Sequence, residues 1–405
     1  MRPAVVEPAV VEPALVEPAD AEGLADFDAS LHPQDPWAYY AWFREHRPVG
    51  WSEVHRCFFV HGHAPADTVF RSSHFTVEHP FRRSRQALGP TLLDTDGPDH
   101  TRLRPFVNAD LTGTAVRTLI ERVVRPTAAE LATRMSALGA GDFVENFAME
   151  LPLRVAVALT GLDPADRYWL ADRLRPLIDC LDRTTAPLGP AADARDALEA
   201  HTAEVLRKGL GRGGLLGRCA QADGLDLSEA EIVRTATLLL SAGTETTVCS
   251  LANAVVCLLT VDGVQEDLRE GRVSVTDFVR EVLRWQPPMH FTLRYARQDT
   301  ELGGVAIPAG AAVQLNLASA NRDETVFADA DRFVAGRSER SELTFGRGRH
   351  SCPGNRLAAA EIEYAVDELL ARTTSLSSPD GTVPPVVGVT FRRPRSLPVL
   401  LRSTR

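Results

Sequence analysis

The sequence has almost no lysine and no excess of positive charge. Of its 44 lysine and arginine residues all but Lys208 are arginine, against 54 Asp and Glu, and the formal net charge is −10. The arginine bias is typical of a GC-rich genome and carries no information about function. Because no basic arm offsets the acidic balance, the composition argues against nucleic acid as the main partner.

The sequence also lacks segments that would take it into or across a membrane. No apolar run reaches the roughly 18 to 20 residues that span a bilayer, and the N-terminus lacks the charged-then-apolar pattern of a secretory signal. With 44% hydrophobic and 24% charged residues, the composition is that of a soluble globular protein. We expect a cytoplasmic monomer that does not bind membranes.

Cysteine is sparse, and its spacing excludes two common uses. Six cysteines, at positions 57, 180, 219, 249, 257 and 352, are scattered along the chain and form no CxxC pair. Neither a disulfide framework nor a zinc site is therefore predicted. Most of these thiols are expected to fill the apolar core.

A short repeat occupies the start of the chain. The unit AVVEP stands at 4–8 and 9–13, and ALVEP follows at 14–18. Proline in every fifth position forbids a continuous helix, and a unit of five residues cannot build a core. We predict that residues 1–32 form a disordered, Pro-rich extension without a catalytic role.

From about residue 33 the pattern is mainly helical. Apolar residues recur at three- and four-residue spacing in five long segments, at 114–137, 151–181, 191–208, 228–260 and 355–372. Short β-like pieces lie at 57–60, 301–307 and 311–316, and PAG separates the last two as in a hairpin. Since strands and helices do not alternate, the predicted fold class is mainly α with small β-sheets.

The stretch GLGRGG at 209–214 matches the dinucleotide-binding pattern GxGxxG. A helical stretch, ARDALEAHTAEVLRK, precedes it where the fingerprint requires a strand. Gly209 is therefore predicted to end a helix. We expect this chain to bind neither nicotinamide nor flavin.

The segment at 228–260 predicts a buried helix. Ser228 and Glu231 have the spacing of a capping box at its start. After Arg234 the segment carries no charge until Glu245, so the helix is apolar on nearly all sides and should cross the centre of the molecule.

AGTET, at 242–246, interrupts this apolar pattern. Glycine and a carboxylate both disfavour the interior of a buried helix, yet Gly243 and Glu245 occur together here. Two interpretations are evenly balanced on this segment alone. It is either a kink with a satisfied core glutamate, or a site where Ala242 and Gly243 admit a flat ligand while Glu245 and Thr246 pass protons to it.

The stretch FVREVLRWQPP, at 278–288, places Glu281 and Arg284 three residues apart on a predicted helix. Such pairs are usually solvated and contribute only tenths of a kcal/mol. The flanking Phe278 and Trp285 indicate that this helix is covered, and a buried pair would need a further partner.

Several side chains that bind anions occur in short stretches. DGPDHTRLR places His100 and Arg104 at i and i+4, hence on one helical face, and Arg294 follows a Pro-rich bend. With His350 they could satisfy a dianionic group, although each residue taken alone is more often on the surface.

The stretch FGRGRHSCPG, Phe345–Gly354, surrounds one cysteine with glycines and cations. A cysteine that binds a metal does so as a thiolate, which needs donors and positive charge nearby. Three glycines would bring backbone N–H groups to the sulfur of Cys352, where the start of a predicted helix also stabilises negative charge. A structural cysteine beside a turn would explain neither the glycines nor the missing second metal ligand.

This stretch resembles the haem-thiolate loop of the cytochromes P450, F-G-x-G-x-H-x-C-x-G, and meets every fixed position. AGTET, the E-x-x-R of Glu281 and Arg284, and the DRF element at 331–333 precede it in the family's order. The resemblance implies a single cytochrome P450 domain over 33–405. It also implies haem b, with its iron, between the long central helix and the cysteine loop.

The resemblance implies a role for each matching residue. Cys352 would be the axial iron ligand, whose electron donation favours O–O cleavage. Glu245 and Thr246 would be the acid and alcohol that deliver protons to dioxygen, and Arg332 would be the third member of the Glu281 network. The implied haem contacts are His100, Arg104, Ala242, Gly243, Arg294, Phe345, His350, Cys352 and Gly354.

By analogy with the family, the substrate pocket includes Leu239, Met289, His290, Phe291 and Thr292. The histidine and threonine of MHFTL indicate a substrate with some polar groups. Electrons must come from another protein, and the resemblance implies a ferredoxin and a ferredoxin reductase that uses NAD(P)H. The ferredoxin would dock on the cysteine side, where positive charge could come from Arg102, Arg347, Arg349 and Arg356.

The main hypothesis is a monooxygenase that uses O2 to hydroxylate or epoxidise a small natural-product substrate in secondary metabolism, such as antibiotic biosynthesis. A second is oxidative coupling, cyclisation or a peroxygenase reaction with the same haem. A third, of a different class, is a non-catalytic haem sensor or carrier. The presence of Glu245 and Thr246 favours oxygen activation over a peroxide route and over a sensor.

Overall fold

Helices make up most of the fold, as the apolar spacing predicts. The computed structural model describes residues 35–183, 185–221 and 226–404, so the predicted extension at 1–32 lies outside the described residues. The helices are α1 (Trp37–His46), α2 (His63–Arg71), α3 (Arg83–Leu88), α4 (Gly97–Leu111), α5 (Gly113–Leu119), α6 (Arg125–Leu138), α7 (Glu150–Thr160), α8 (Arg167–Asp182), α9 (Leu188–Arg207), α10 (Gly214–Gln221), α11 (Glu229–Thr260), α12 (Val264–Arg269), α13 (Val275–Trp285), α14 (Leu317–Ala320) and α15 (Asn355–Arg372). Single π-helical segments at Ile120–Val124 and Val144–Ala148 precede α6 and α7.

Short strands form three sheets. The strands are β1 (Val49–Ser52), β2 (Cys57–Val60), β3 (Phe75–Thr76), β4 (Ala140–Asp142), β5 (Phe291–Ala296), β6 (Thr300–Leu302), β7 (Val305–Ile307), β8 (Ala312–Asn316), β9 (Thr373–Ser377) and β10 (Pro398–Ser403). The largest sheet has the order β1-β2-β8-β5-β3, in which only β2 and β8 are parallel. A second sheet has the order β4-β10-β9, and β6 pairs with β7.

The central helix α11 forms as predicted. The Ser228 side chain accepts a hydrogen bond from the Glu231 N–H, and the Glu231 carboxylate accepts one from the Ser228 N–H at 2.8 Å, which completes the capping box. The helix is long and apolar enough to cross a membrane, but most of its apolar stretch is buried inside the protein. It is the core helix of this fold, and it packs against α7, α9 and α15.

The predicted helix at 151–181 is wrong in its middle, because the chain breaks between α7 and α8. Gly161 has φ +82°, and a Cβ there would lie 2.0 Å from the Gly213 carbonyl oxygen, so only glycine fits this turn. Pro164 then opens a short 3₁₀ turn before α8. Gly209 ends α9 with φ +63°, as predicted.

The predicted hairpin between 301–307 and 311–316 is also wrong. The hairpin lies inside the first piece, between β6 and β7, because Gly303 and Gly304 both have positive φ and form its turn. Strand β8 pairs with β5 and β2 instead. This pairing places β5, which follows α13, inside the five-stranded sheet.

Candidate functional site

The AGTET segment of α11 leaves one face of the helix open. The helix is continuous through it, and Ala242 is exposed although Leu239, one turn earlier on the same side, is buried. A Cβ on Gly243 would meet no atom within 4 Å. The Thr246 hydroxyl donates to the Ala242 carbonyl at 2.9 Å.

Glu245, next to Thr246 on α11, has a charged partner, Arg393. Its Oε1 accepts a hydrogen bond from Nε of Arg393 at 3.0 Å, and the Cys249 thiol approaches the same oxygen at 3.6 Å. A carboxylate inside an apolar helix predicts that a partner exists. The sequence does not identify Arg393 as that partner, because the chain holds many arginines and none stands at a diagnostic spacing from Glu245.

The cysteine loop closes on itself and against α2. The Cys352 N–H donates to the Phe345 carbonyl at 2.8 Å. Gly348 has φ +70°, and a Cβ there would lie 2.5 Å from the Phe70 carbonyl oxygen. The loop can therefore lie this close to α2 only with glycine at 348.

The sulfur of Cys352 lies at the N-terminus of α15. Burial raises the pKa of the Cys352 thiol, while a hydrogen bond from the Gly354 N–H and the guanidinium of Arg104 oppose that rise. Arg104 also approaches the loop backbone, with Nη1 3.5 Å from the Arg349 carbonyl oxygen. The chain thus supplies donors and positive charge to a thiolate, as the loop pattern predicts.

Two buried side chains near this loop, one cationic and one an imidazole, lack carboxylate partners among the described residues. Arg294 is buried, donates to the Leu293 carbonyl at 2.9 Å, and has no Asp or Glu oxygen within 4 Å among the described residues. Burial, together with the nearby charge of Arg82, lowers the pKa of Arg294 to about 9. His100 is buried too, and its Nε2 has no hydrogen-bond partner in the described part of the chain.

His350 lies next to His100 but has a partner. The ring centroids of His350 and His100 are 4.4 Å apart, and burial and the charge of His350 lower the pKa of His100 to about 4. His350 Nε2 is 2.8 Å from Oδ1 of Asp96, and Arg297 reaches the other carboxylate oxygen at 2.8 Å. Asp96 precedes α4 and was not predicted from the sequence.

Asp96 is the carboxylate that balances part of this cluster. Its burial alone would raise its pKa, but hydrogen bonds from His350, Thr76 and the Val77 N–H outweigh burial and hold the pKa well below the usual range. It does not reach Arg294 or His100 within ion-pair distance, so the cation of Arg294 and the ring nitrogen Nε2 of His100 remain available to a ligand.

These features fit a haem. A cysteine at a helix N-terminus would supply, as its thiolate, a ligand for haem iron, and the open Ala242–Gly243 face would admit a flat macrocycle. Arg294 and His100 are donors for two carboxylates, which are the propionates of haem. The residues present therefore match the group that the loop pattern implies.

Comparisons with known proteins agree with this chemistry. The family model "Cytochrome P450" matches residues 215–394. Cyclomarin C epoxidase of Salinispora arenicola is 33% identical over 346 residues, which are 81% of this chain and 86% of that protein. The chain belongs to the cytochrome P450 family. Like other P450s, it is a haem-thiolate monooxygenase.

Two further relatives show how far the likeness extends. Mycinamicin IV hydroxylase/epoxidase of Micromonospora griseorubida is 33% identical over 337 residues, 82% of this chain and 84% of that protein. The crystal structure of P450BioI in complex with an acyl carrier protein carrying hexadec-9Z-enoic acid superposes with a TM-score of 0.84 at 28% identity, over 91% of this chain and 98% of that one. The P450 fold is therefore shared over nearly the whole described chain.

The charge network of this P450 has a different third member from the one predicted. Glu281 and Arg284 are both buried and pair at 2.7 Å, and Nε of Arg337 joins Glu281 at 3.0 Å. Arg332 was wrongly predicted for this place. Its side chain is 76% exposed near Asp329, and only its carbonyl oxygen accepts from Arg284, because the side chain points to solvent.

Two of the predicted pocket residues of this P450 lie in the core instead. His290 is fully buried with Nδ1 3.0 Å from the Tyr40 hydroxyl, and Phe291 packs on Tyr40 and Phe59 beneath α1. Phe291 and Thr292 are successive residues of β5 and turn to opposite faces of the strand, which a short motif does not resolve.

The other predicted pocket residues remain candidates. Thr292, next to Phe291 on β5, is half-buried and lies 3.4 Å from Nη1 of Arg294. Met289 is half-buried as well and forms a β-bridge with Phe391. Leu239 shares the side of α11 that carries Ala242.

Proposed function

We propose that this P450 hydroxylates or epoxidises a small natural-product scaffold with dioxygen. The observation that carries the proposal is the open face of α11, where Ala242 and Gly243 leave room beside Thr246 and where Glu245 follows on the next face. A buried acid and an alcohol in sequence can pass protons in two steps. A haem carrier or sensor has no need of this pair.

The haem would be held by groups from three parts of the chain. Cys352 would bind the iron, Gly354 would donate its N–H to the sulfur, and Arg294 and His100 would bind the propionates, with Arg104 and His350 beside them. Bound haem supplies the oxygen-activating chemistry. The chain's own part is to hold the thiolate, to keep the face of α11 open and to move protons through Glu245 and the Thr246 hydroxyl.

The substrate class is supported by two of the relatives. One is named for epoxidising cyclomarin C, and the other for hydroxylating or epoxidising mycinamicin IV. In this chain the half-buried Thr292 offers a hydroxyl, and the other remaining pocket candidates, Leu239 and Met289, are apolar. We therefore infer a mostly apolar scaffold with a few polar groups, used in secondary metabolism.

Electrons are proposed to come from a ferredoxin and its NAD(P)H-dependent reductase. Of the four arginines predicted for docking, Arg102 pairs with Glu231 at 2.5 Å and Arg347 with Asp67 at 3.3 Å. Arg349 and Arg356 are exposed on either side of Cys352. Arg349 has only a long ion pair, 3.7 Å from Asp96, and Arg356 has none among the described residues. These two would therefore contribute most to docking.

The haem assignment is tested by reducing the purified protein under carbon monoxide. Wild type should give the red-shifted Soret band that thiolate ligation produces, and Cys352→Ser should lose that band while the fold persists. A spectrum typical of histidine ligation in wild type would refute the assignment of Cys352.

The oxygen chemistry is tested by comparing two adjacent threonines. The assays contain ferredoxin, reductase, NADPH and a panel of apolar polycyclic and macrolide substrates. With Thr246→Ala, electrons from NADPH should reduce dioxygen to hydrogen peroxide instead of yielding oxygenated product. Thr247→Ala is the matched control, because Thr247 makes the same bond to the carbonyl four residues earlier but is buried. Equal peroxide release from the two variants would contradict the role of Thr246.

A further inference from the structure

The turn at 387–393, next to β10, has a rigid backbone. Val387 and Arg393 exchange two backbone hydrogen bonds, at 3.0 and 3.1 Å. Inside the turn Gly388 has φ +116°, and a Cβ there would lie 2.0 Å from the Phe391 carbonyl oxygen. Only glycine permits this closure, so the direction in which Arg393 leaves the turn is set by the backbone.

Two helices tie the turn to the centre of the molecule. The carboxylate of Asp182, the last residue of α8, accepts the N–H groups of Thr390 and Phe391, both at 2.9 Å. From α11 the side-chain amide of Asn253 donates to the Arg392 carbonyl at 3.1 Å. The turn is thus fixed to the helix that carries Glu245.

Arg393 uses this position to reach Glu245. The Nε–Oε1 distance is 3.0 Å, and the two side chains are only 21% and 14% exposed, so the pair is largely shielded from water. Burial lowers the pKa of Arg393, but Glu245 outweighs burial and the pKa is raised. The other titratable group at the carboxylate is Cys249 on the same helix, and Asp182 from α8 in turn acts electrostatically on Cys249.

We propose that Arg393 is the positioning residue of the proton-delivery step. It holds Glu245 as a carboxylate, apart from the Thr246 hydroxyl, until a proton from the solvent side binds to Glu245 and loosens the pair. The neutral carboxyl group then releases that proton toward Thr246 and returns to Arg393 as a carboxylate. This inference rests on the proposed role of Glu245 and Thr246.

The ionic state of Glu245 is tested first, without turnover. Burial raises the pKa of Glu361 well above its ordinary value, so wild type already holds a protonated carboxyl group and the measurement is an infrared difference spectrum. At pH 7, Arg393→Gln minus wild type should show an additional C=O stretch of a protonated carboxyl group, because a buried carboxylate without a counter-charge favours its neutral form. The band should vanish in the double variant Arg393→Gln/Glu245→Gln. It should also be absent from Arg393→Lys, which keeps the charge.

Arg395→Gln is the matched control, since Arg395 stands two residues away on the same segment and is exposed. It should match wild type. If Arg393→Gln has no protonated-carboxyl band beyond that of wild type, or if the additional band persists in the double variant, the inference is overturned.

The pH dependence of NADPH consumption with ferredoxin and reductase is the second measurement. In Arg393→Gln the rate at pH 7 should fall by roughly tenfold or more and recover as the pH rises, because Glu245 must lose its proton before it can accept another. Arg393→Lys should restore most of the rate. A variant that is only less stable to heat, with the wild-type pH profile, would show that Arg393 is merely structural.

The carbon monoxide spectrum keeps this inference separate from the proposed function. All variants should retain the band of thiolate ligation. If wild type itself lacks that band, the proposed function fails, whereas the infrared result still decides whether Arg393 keeps Glu245 ionised.

Discussion

Two buried groups of charges in this P450 are built in opposite ways. Around α13, Glu281 has Arg284 and Arg337 as partners, and the remaining N–H groups of Arg284 donate to backbone carbonyls. Near the cysteine loop, Arg294 and His100 are equally buried, but neither has a carboxylate within reach in the described chain. The charges of the first group are paired within the described chain, whereas the second group has no counter-charge there.

The difference indicates which group serves the fold and which serves a ligand. Burying a charge costs several kcal/mol unless a partner and hydrogen bonds offset it. The α13 network provides both from the chain, so it stabilises the protein with or without a cofactor. Near the cysteine loop the charge of Arg294 is balanced only when an anion binds, and Nε2 of His100 offers that anion a further hydrogen bond, which is the arrangement that haem propionates require.

The largest expected effect comes from breaking the complete network. Glu281→Gln leaves the guanidinium groups of Arg284 and Arg337 buried without a countercharge, and we expect a loss of about 3–5 kcal/mol in the free energy of unfolding. Denaturant titration followed by circular dichroism measures it. Arg332→Gln is the matched control and should change stability by less than about 0.5 kcal/mol, because its side chain is exposed. If Arg332→Gln lowers the free energy of unfolding as much as Glu281→Gln does, the Arg332 side chain takes part in the Glu281 network after all.

Removing a charge from the incomplete cluster should act on haem retention instead. Arg294→Met takes away a cation that has no ion pair in the chain, so the fold should persist, while haem binding loses a charge-assisted hydrogen bond of about 2 kcal/mol. Transfer of haem to an excess of apomyoglobin should be more than tenfold faster than in wild type. If Arg294→Met unfolds the protein, or if it stays folded and releases haem at the wild-type rate, the contrast between the two groups is wrong.

The sequence predicts the parts of this site that depend on local pattern. The helix at 355–372 and the capping box of α11 follow from apolar spacing and from one side chain bonding three residues ahead. The break at Gly161 was missed because apolar spacing continues across it. It becomes evident only from the close approach of the Gly213 carbonyl.

Pairings between distant residues were not predictable in the same way. Arg337 and Arg332 stand five residues apart on an irregular segment, and no periodicity says which side chain points inward. Arg393 and Asp96 joined Glu245 and His350 across 148 and 254 positions. A charged residue in a buried segment predicts that a partner exists. Which of the many arginines or carboxylates is that partner depends on the tertiary fold.

His290 provides an intermediate case, a buried base whose partner is neutral. Burial, with the charges of Arg392 and Arg322, lowers the pKa of His290 well below its ordinary value, so it stays neutral in the folded protein. In the unfolded chain it binds a proton below about pH 6.5, and stability should therefore fall as the pH drops. We expect wild type to lose about 1 kcal/mol more than His290→Gln between pH 7 and pH 5.5.

The pH series is measured by urea unfolding at matched ionic strength. His74→Gln, at an exposed position, is the control and should keep the wild-type slope. If His290→Gln has the same slope as wild type, protonation of another buried group accounts for the acid sensitivity.

The smallest effect is expected where the missing partner is another protein. Arg349 is 45% exposed next to the cysteine loop, so its charge is screened by water and salt. Arg349→Glu should leave stability and the carbon monoxide spectrum unchanged but slow reduction by ferredoxin several-fold at low salt, and the difference should shrink as salt is added. The same reversal at the exposed Arg402 of β10, in the second sheet, should have no effect on reduction. If Arg349→Glu is reduced at the wild-type rate at low salt, the ferredoxin docks on another face. The assignments of the Glu281 network to the fold and of Arg294 and His100 to a ligand do not depend on this result.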